Sequence, residues 1–75
     1  MEMYRDVDGD SGVLAYENGT DFIRVKFKDL SIYLYTHGSA GSNHIETMKN
    51  LAMSGNGLNA YINRFVRKLY AKKEQ

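Results

Sequence analysis

Apolar and charged positions alternate most regularly from Phe22 to Lys28. Ile23, Val25 and Phe27 interleave with Arg24, Lys26 and Lys28, the period-two signature of a strand with one buried and one wet face. After a break at Asp29-Leu30, Ile32 and Leu34 interleave with Tyr33 and Tyr35. If Asp29 and Leu30 are the central residues of a two-residue turn, Phe27 faces Ile32 and Val25 faces Leu34 on the inner face. Lys26 then meets Tyr33, and Arg24 meets Tyr35, on the outer face. Leu30 suits that turn poorly, because a type I′ turn needs positive φ. Upstream, Val13 to Glu17 reads as a further strand, closed by the hairpin signal Asn18-Gly19. The pattern predicts strands over about 12–17, 21–28 and 31–36.

Beyond residue 36 the period changes. His37 to Ser42 reads as a flexible connection, and Asn43 with Glu46 three residues on has the form of a capping box. The helix opened there carries Ile45, Met48, Leu51 and Ala52 on one side, and Gly55 suits its C-terminal cap. A second helix is set by Leu58, Tyr61, Ile62, Phe65, Val66 and Leu69, with Arg64, Arg67 and Lys68 opposite. Lys72 to Gln75 are expected to fray. The fold class predicted is α+β: a three-stranded antiparallel β-meander followed by two helices packed on one face of the sheet. Ile23, Val25, Phe27, Ile32 and Leu34 would meet Met48, Leu51, Ile62, Phe65 and Leu69 in the core.

Seventy-five residues make one domain with little core to spare. The chain lacks cysteine, which excludes disulfide and thiolate-metal staples. With no 18-residue apolar run and no apolar segment after a basic start, neither a membrane span nor a signal peptide is expected, and the setting expected is cytoplasmic. The net charge of +1 hides an asymmetry. Residues 1–21 set Arg5 against Glu2, Asp6, Asp8, Asp10, Glu17 and Asp21, whereas residues 22–75 set nine Lys and Arg against Asp29, Glu46 and Glu74. The acidic residues 1–10 read as a flexible tail, with Met3-Tyr4 as the one place in it for a short ordered piece, and residues 11–75 as the folded unit. A basic half of this kind either binds a polyanion or is neutralised by its own acidic segment.

Candidate chemistry is sparse. Asp6, Asp8, Asp10 and Glu17 fit the spacing of an EF-hand Ca²⁺ loop, but Ser11 stands where that loop needs glycine, and the β-like Val13–Tyr16 follows instead of a helix. Gly38-Ser39-Ala40-Gly41 has the bare spacing of an RNA-binding GxxG, yet it follows a strand and lacks the Gly-Lys-Ser/Thr of a phosphate loop. His37 and His44 have no third ligand at metal spacing. Ser54 beside Gly55 reads as a helix end. No cofactor, metal or catalytic set is therefore expected, and the domain reads as non-enzymatic. The most suggestive surface is the expected outer sheet face. There Tyr33 and Tyr35 would offer stacking planes, and Arg24 and Lys26 would hold phosphates, aided by Arg64 and Lys68 on the second helix. The same pattern also fits ordinary outer-face packing of lysine and arginine stems over tyrosine rings.

Ser11 to Tyr16, Ile23-x-Val25-x-Phe27, the Y-x-Y of Tyr33 and Tyr35, Leu51-Ala52-Met53-Ser54 and Gly57-Leu58-Asn59-x-Tyr61-Ile62 together resemble the KTSC domain. That short domain closes some lysyl-tRNA synthetases and also occurs alone in small bacterial proteins. The resemblance covers about residues 11–62. This chain departs from it at Gly38 to Ser42, where the family has a proline-bearing segment, and in its longer basic final helix. The resemblance implies an unassigned function with RNA as a candidate partner, and it supplies no catalytic residues. The alternative expectation is a module that binds another protein or itself, through a sheet edge or the tyrosine face.

Overall fold

The Phe22–Thr36 stretch folds as a hairpin, but three residues rather than two make its turn. In the computed structural model, which describes residues 1–7, 9 and 12–75, Lys26 pairs with Ile32, Val25 with Tyr33, Arg24 with Leu34 and Ile23 with Tyr35. The Phe27 N–H donates to the Ser31 carbonyl (2.9 Å), and the Leu30 N–H donates back to the Phe27 carbonyl (2.8 Å). Leu30 sits at φ +74°, the left-handed residue that closes a three-residue hairpin. Asp29 Oδ1 accepts from the Ser31 hydroxyl (2.6 Å) and the Ser31 N–H (3.0 Å), which fixes the turn and holds the Asp29 carboxyl below its ordinary pKa.

An odd loop turns the following strand over. Tyr33 and Tyr35 join Ile23 and Val25 on the inner face, while Ile32 and Leu34 share the outer face with Arg24 and Lys26. The expected facing of Ile32, Leu34, Tyr33 and Tyr35 is thereby corrected. Leu30 is half exposed, so Leu30→Gly loses little burial and relieves a backbone conformation that disfavours side chains. It should raise stability by about 1 kcal/mol in urea denaturation. An unchanged or lower midpoint would mean that the turn carries no such strain.

Among the described residues, five strands form one antiparallel sheet whose spatial order is its chain order. They are β1 (Glu2–Met3), β2 (Val13–Asn18), β3 (Phe22–Phe27), β4 (Ile32–Thr36) and β5 (Lys72–Lys73). The expected three-strand meander is its centre, and a two-residue strand extends it on each side. A bulge between Val13 and Ala15 shifts the β2–β3 register. Order at the chain's start falls where Met3-Tyr4 offered it and goes further than a short piece in a tail: Met3 pairs with Ala15, the Tyr4 N–H donates to the Leu14 carbonyl (3.0 Å), and the Tyr4 ring lies in the core. β5 likewise replaces the expected fraying, with the Ala71 N–H donating to the Leu34 carbonyl (2.7 Å) and Lys73 pairing with Tyr33.

The connection after β4 is ordered. Thr36 caps a short helix, α1 (His37–Ala40), through a reciprocal pair in which the Ser39 N–H donates to Thr36 Oγ1 and the Thr36 N–H donates to Ser39 Oγ, each at 3.0 Å. Gly41 separates it from α2 (Ser42–Ser54), so the helix begins one residue before Asn43 and without the expected capping box. The Glu46 carboxylate goes instead to His37 and Lys49, each at 3.0 Å. Gly55 ends α2 in the left-handed conformation, as expected.

The last helical stretch is α3 (Leu58–Tyr61) running into a π-helical segment, Ile62–Val66. Its buried residues are Leu58, Ile62 and Val66, spaced four apart. In an α-helix each such step advances about 40°, so the three would splay. One wider turn winds Val66 back into line with Leu58. The same adjustment leaves Phe65 and Leu69, both expected in the core, 50% and 40% exposed. The core is built from Tyr4, Val13, Tyr16, Ile23, Val25 and Tyr35 on the sheet side, with Ile45, Met48, Ala52, Leu58, Ile62 and Val66 opposite.

Candidate functional site

The six residues expected to bind nucleic acid do not share one surface. Arg24 and Lys26 lie on the outer face of the sheet. Arg24 is engaged there: its Nε donates to Glu74 Oε1 and its Nη1 to Glu17 Oε1, each at 2.6 Å, which ties β2, β3 and the C-terminal end into one row. The bonds to Glu74 and then Glu17 raise the already high pKa of this guanidinium. A phosphate would have to displace two carboxylates to reach it. Arg64 is exposed and rests over the Phe65 ring, 5.5 Å from its centroid.

Tyr33, Tyr35 and Lys68 do come together, on the inner side. They line an open cleft of about 550 Å³ between the β3–β4 turn and the end of the π-helical segment. Its aromatic wall is a chain of edge-on contacts: Phe27 to Tyr33 at 5.7 Å, Tyr33 to Tyr70 at 4.9 Å and Tyr70 to Tyr35 at 6.5 Å between centroids. Lys73 Nζ lies 5.8 Å from the centre of the Tyr33 ring. Arg67 and Lys68 stand exposed on the rim, and neither has an ion-pair partner among the described residues. Lys28, also on the rim, pairs with Asp6 at 3.2 Å. Tyr35 is almost wholly buried, and burial pushes its phenol up to about 12, with smaller contributions from Tyr33 and Tyr70.

No family model, curated protein or solved structure matches this chain. The site therefore stands on its own geometry.

Sequence reasoning missed Phe27, Arg67 and Tyr70 as site residues. The hydrophobic pattern places Phe27 in the core and Arg67 on a solvated face, while Tyr70 falls just past Leu69, the last apolar position assigned to the helix. The one available signal is the cluster of five cations around Tyr70 between Arg64 and Lys73.

The remaining chemical candidates separate in space. His37 Nε2 meets Glu46 at 3.0 Å, whereas His44 Nδ1 meets the Tyr61 hydroxyl at 2.6 Å. No group of three metal-ligating side chains occurs among the described residues. Gly38 to Gly41 carry α1 and its cap rather than a free loop. The Ca²⁺-loop spacing rests in part on Asp8, Asp10 and Ser11, which lie outside the described residues, while Glu17 is committed to Arg24. No described helix is long and apolar enough to cross a membrane.

Proposed function

We propose that this domain is a non-enzymatic binding module for single-stranded nucleic acid, with RNA as its target, and that the inner cleft rather than the outer sheet face is its site. One observation carries the reading: the Tyr33–Tyr70 wall opens beside Arg67 and Lys68, two cations with no ion-pair partner among the described residues, which outnumber the one carboxylate on that rim, Asp29. Aromatic rings give bases a sequence-tolerant platform worth ~1–3 kcal/mol each, and the cations hold the adjoining phosphates. Kinship with the KTSC domain belongs to the same proposal, and its synthetase context is the ground for preferring RNA. A cytoplasmic setting follows from that partner.

The test is a titration of mixed-sequence single-stranded RNA at several salt concentrations. Each phosphate contact contributes a slope of about −0.7 in log K against log salt. Arg67→Ala and Lys68→Ala should each make the slope shallower by about that much. Tyr70→Ala should weaken binding with the slope unchanged, and Arg24→Ala should change neither. Absence of binding at 25 mM salt, roughly the regime where phosphate contacts are strongest, would sink the reading.

Self-association is the second reading, and Phe65 and Leu69 support it, four residues apart and about half exposed. Sedimentation giving a dimer that Phe65→Ser disrupts would favour it. Pairing through a sheet edge has less support, since each edge strand is two residues long and one of them is Lys72-Lys73.

A further inference from the structure

Tyr35 is the residue whose placement the fold alone does not explain. Only 1% of it is exposed. None of the side-chain hydrogen bonds among the described residues involves its hydroxyl, whereas nearly every buried polar group normally has a partner. No side-chain nitrogen or oxygen of the described residues is both sealed from solvent and unpartnered. The sliver of Tyr35 that remains accessible therefore includes its hydroxyl, and it opens on the floor of the cleft. A phenylalanine would fill the same volume without setting at the cleft floor a hydroxyl that no protein group bonds.

We propose that the Tyr35 hydroxyl is the group that selects what enters the cleft, by donating a hydrogen bond to a ring carbonyl of one inserted nucleobase. This rests on the cleft being the nucleic-acid site. Volume sets the number: about 550 Å³ suits one nucleotide rather than a run of them. Charge sets the polarity of the bond. Arg67, Lys68 and Lys28 line the cleft against the single carboxylate of Asp29, and this cationic balance favours the electron-rich, acceptor edge of a ring over an amino group. The phenol also keeps its proton far above neutral pH, so it remains a donor there. Bases carrying a carbonyl opposite the sugar, uracil and guanine, meet these conditions; adenine, with an amino group in that position, does not. The rim cations hold the phosphate of the same nucleotide.

The test compares the wild-type chain and Tyr35→Phe on two probes, a ten-nucleotide oligouridylate and a ten-nucleotide oligoadenylate, with thermal denaturation of both proteins alongside. The wild type should prefer oligouridylate. In the variant its affinity should fall about fivefold, the worth of one hydrogen bond, while that for oligoadenylate changes less than about twofold. The salt slope should stay the same, because no cation is touched. The variant's melting temperature should be unchanged or higher, a combination that a merely structural role for the hydroxyl would not give. If both probes bind and the variant matches the wild type on oligouridylate, the inference is overturned and the cleft reading stands. If the wild type binds neither probe, both fall together.

Discussion

Tyr4→Ala is expected to cost about 3–5 kcal/mol, the range for removing a buried aromatic ring, and in a domain of this size that is a large share of the total stability. The sequence places Tyr4 in an acidic, glycine-punctuated segment that offers at most a short ordered piece and no core role. In the fold the ring is 94% removed from solvent, and its hydroxyl accepts from the Leu58 N–H at 3.2 Å. That N–H belongs to the first turn of α3 and has no helical partner. The N-terminal segment thus supplies both core volume and a cap for a helix more than fifty residues away. Tyr4→Phe isolates the second role and should cost about 1–2 kcal/mol, the penalty for leaving a buried donor unpaired. Urea denaturation measures both variants. A cost under about 1 kcal/mol for Tyr4→Ala would mean that residues 1–7 do not pack as described.

Gly55→Ala is expected to cost about 2–4 kcal/mol, and its neighbour Gly57→Ala only about 1–2 kcal/mol. Both glycines have positive φ, +76° and +85°, so both substitutions strain the backbone. They differ in what a new methyl group would meet. At Gly57 the nearest atom is the flexible end of Leu51 at 3.7 Å, whereas at Gly55 it is Arg5 Cβ at 2.8 Å, with the Arg5 backbone behind it at 3.5 Å. The close approach arises because residues 5–7 lie against the end of α2. The Arg5 guanidinium donates to the Met53 carbonyl, and the Val7 N–H donates to the Gly55 carbonyl at 2.8 Å. The difference between the two variants therefore reads the docking of the N-terminal segment, with backbone strain common to both. Equal costs in thermal or urea denaturation would remove that docking from the account.

The places where sequence reasoning succeeds and fails have physical causes. β3 is legible because Ile23, Val25 and Phe27 alternate with three cations, so only one face can be buried. β4 is not, because Ile32, Tyr33, Leu34 and Tyr35 are all able to line a core. Its facing depends on whether the preceding loop has an odd or an even number of residues. Leucine at a left-handed position conceals the odd answer, since glycine or asparagine is the usual marker there. The helix C-cap at Gly55 is legible from composition, whereas the cap at Thr36 uses serine in place of the glutamate that marks such boxes. β1 and β5 carry no pattern at two residues each; they form because a neighbouring strand offers free backbone groups. Half of the expected site residues reach the cleft. Tyr35 arrives there for a reason opposite to the one anticipated, as a buried floor instead of an exposed platform.

The order of the strands across the sheet has a mechanical side. Because space follows sequence from β1 to β5, the two ends of the chain leave from opposite edges, roughly 19 Å apart at the usual strand spacing. Tension applied through those ends pulls across the strands, along the line of their hydrogen bonds. Bonds loaded in that direction break in succession, as a zipper opens, and none shares its load with the next. The first strand to peel from either edge is only two residues long. A machine that threads proteins would meet little resistance from this sheet on the β1 side until it reached the ring of Tyr4, and on the β5 side only the Arg24–Glu74 clasp stands ahead of the strand.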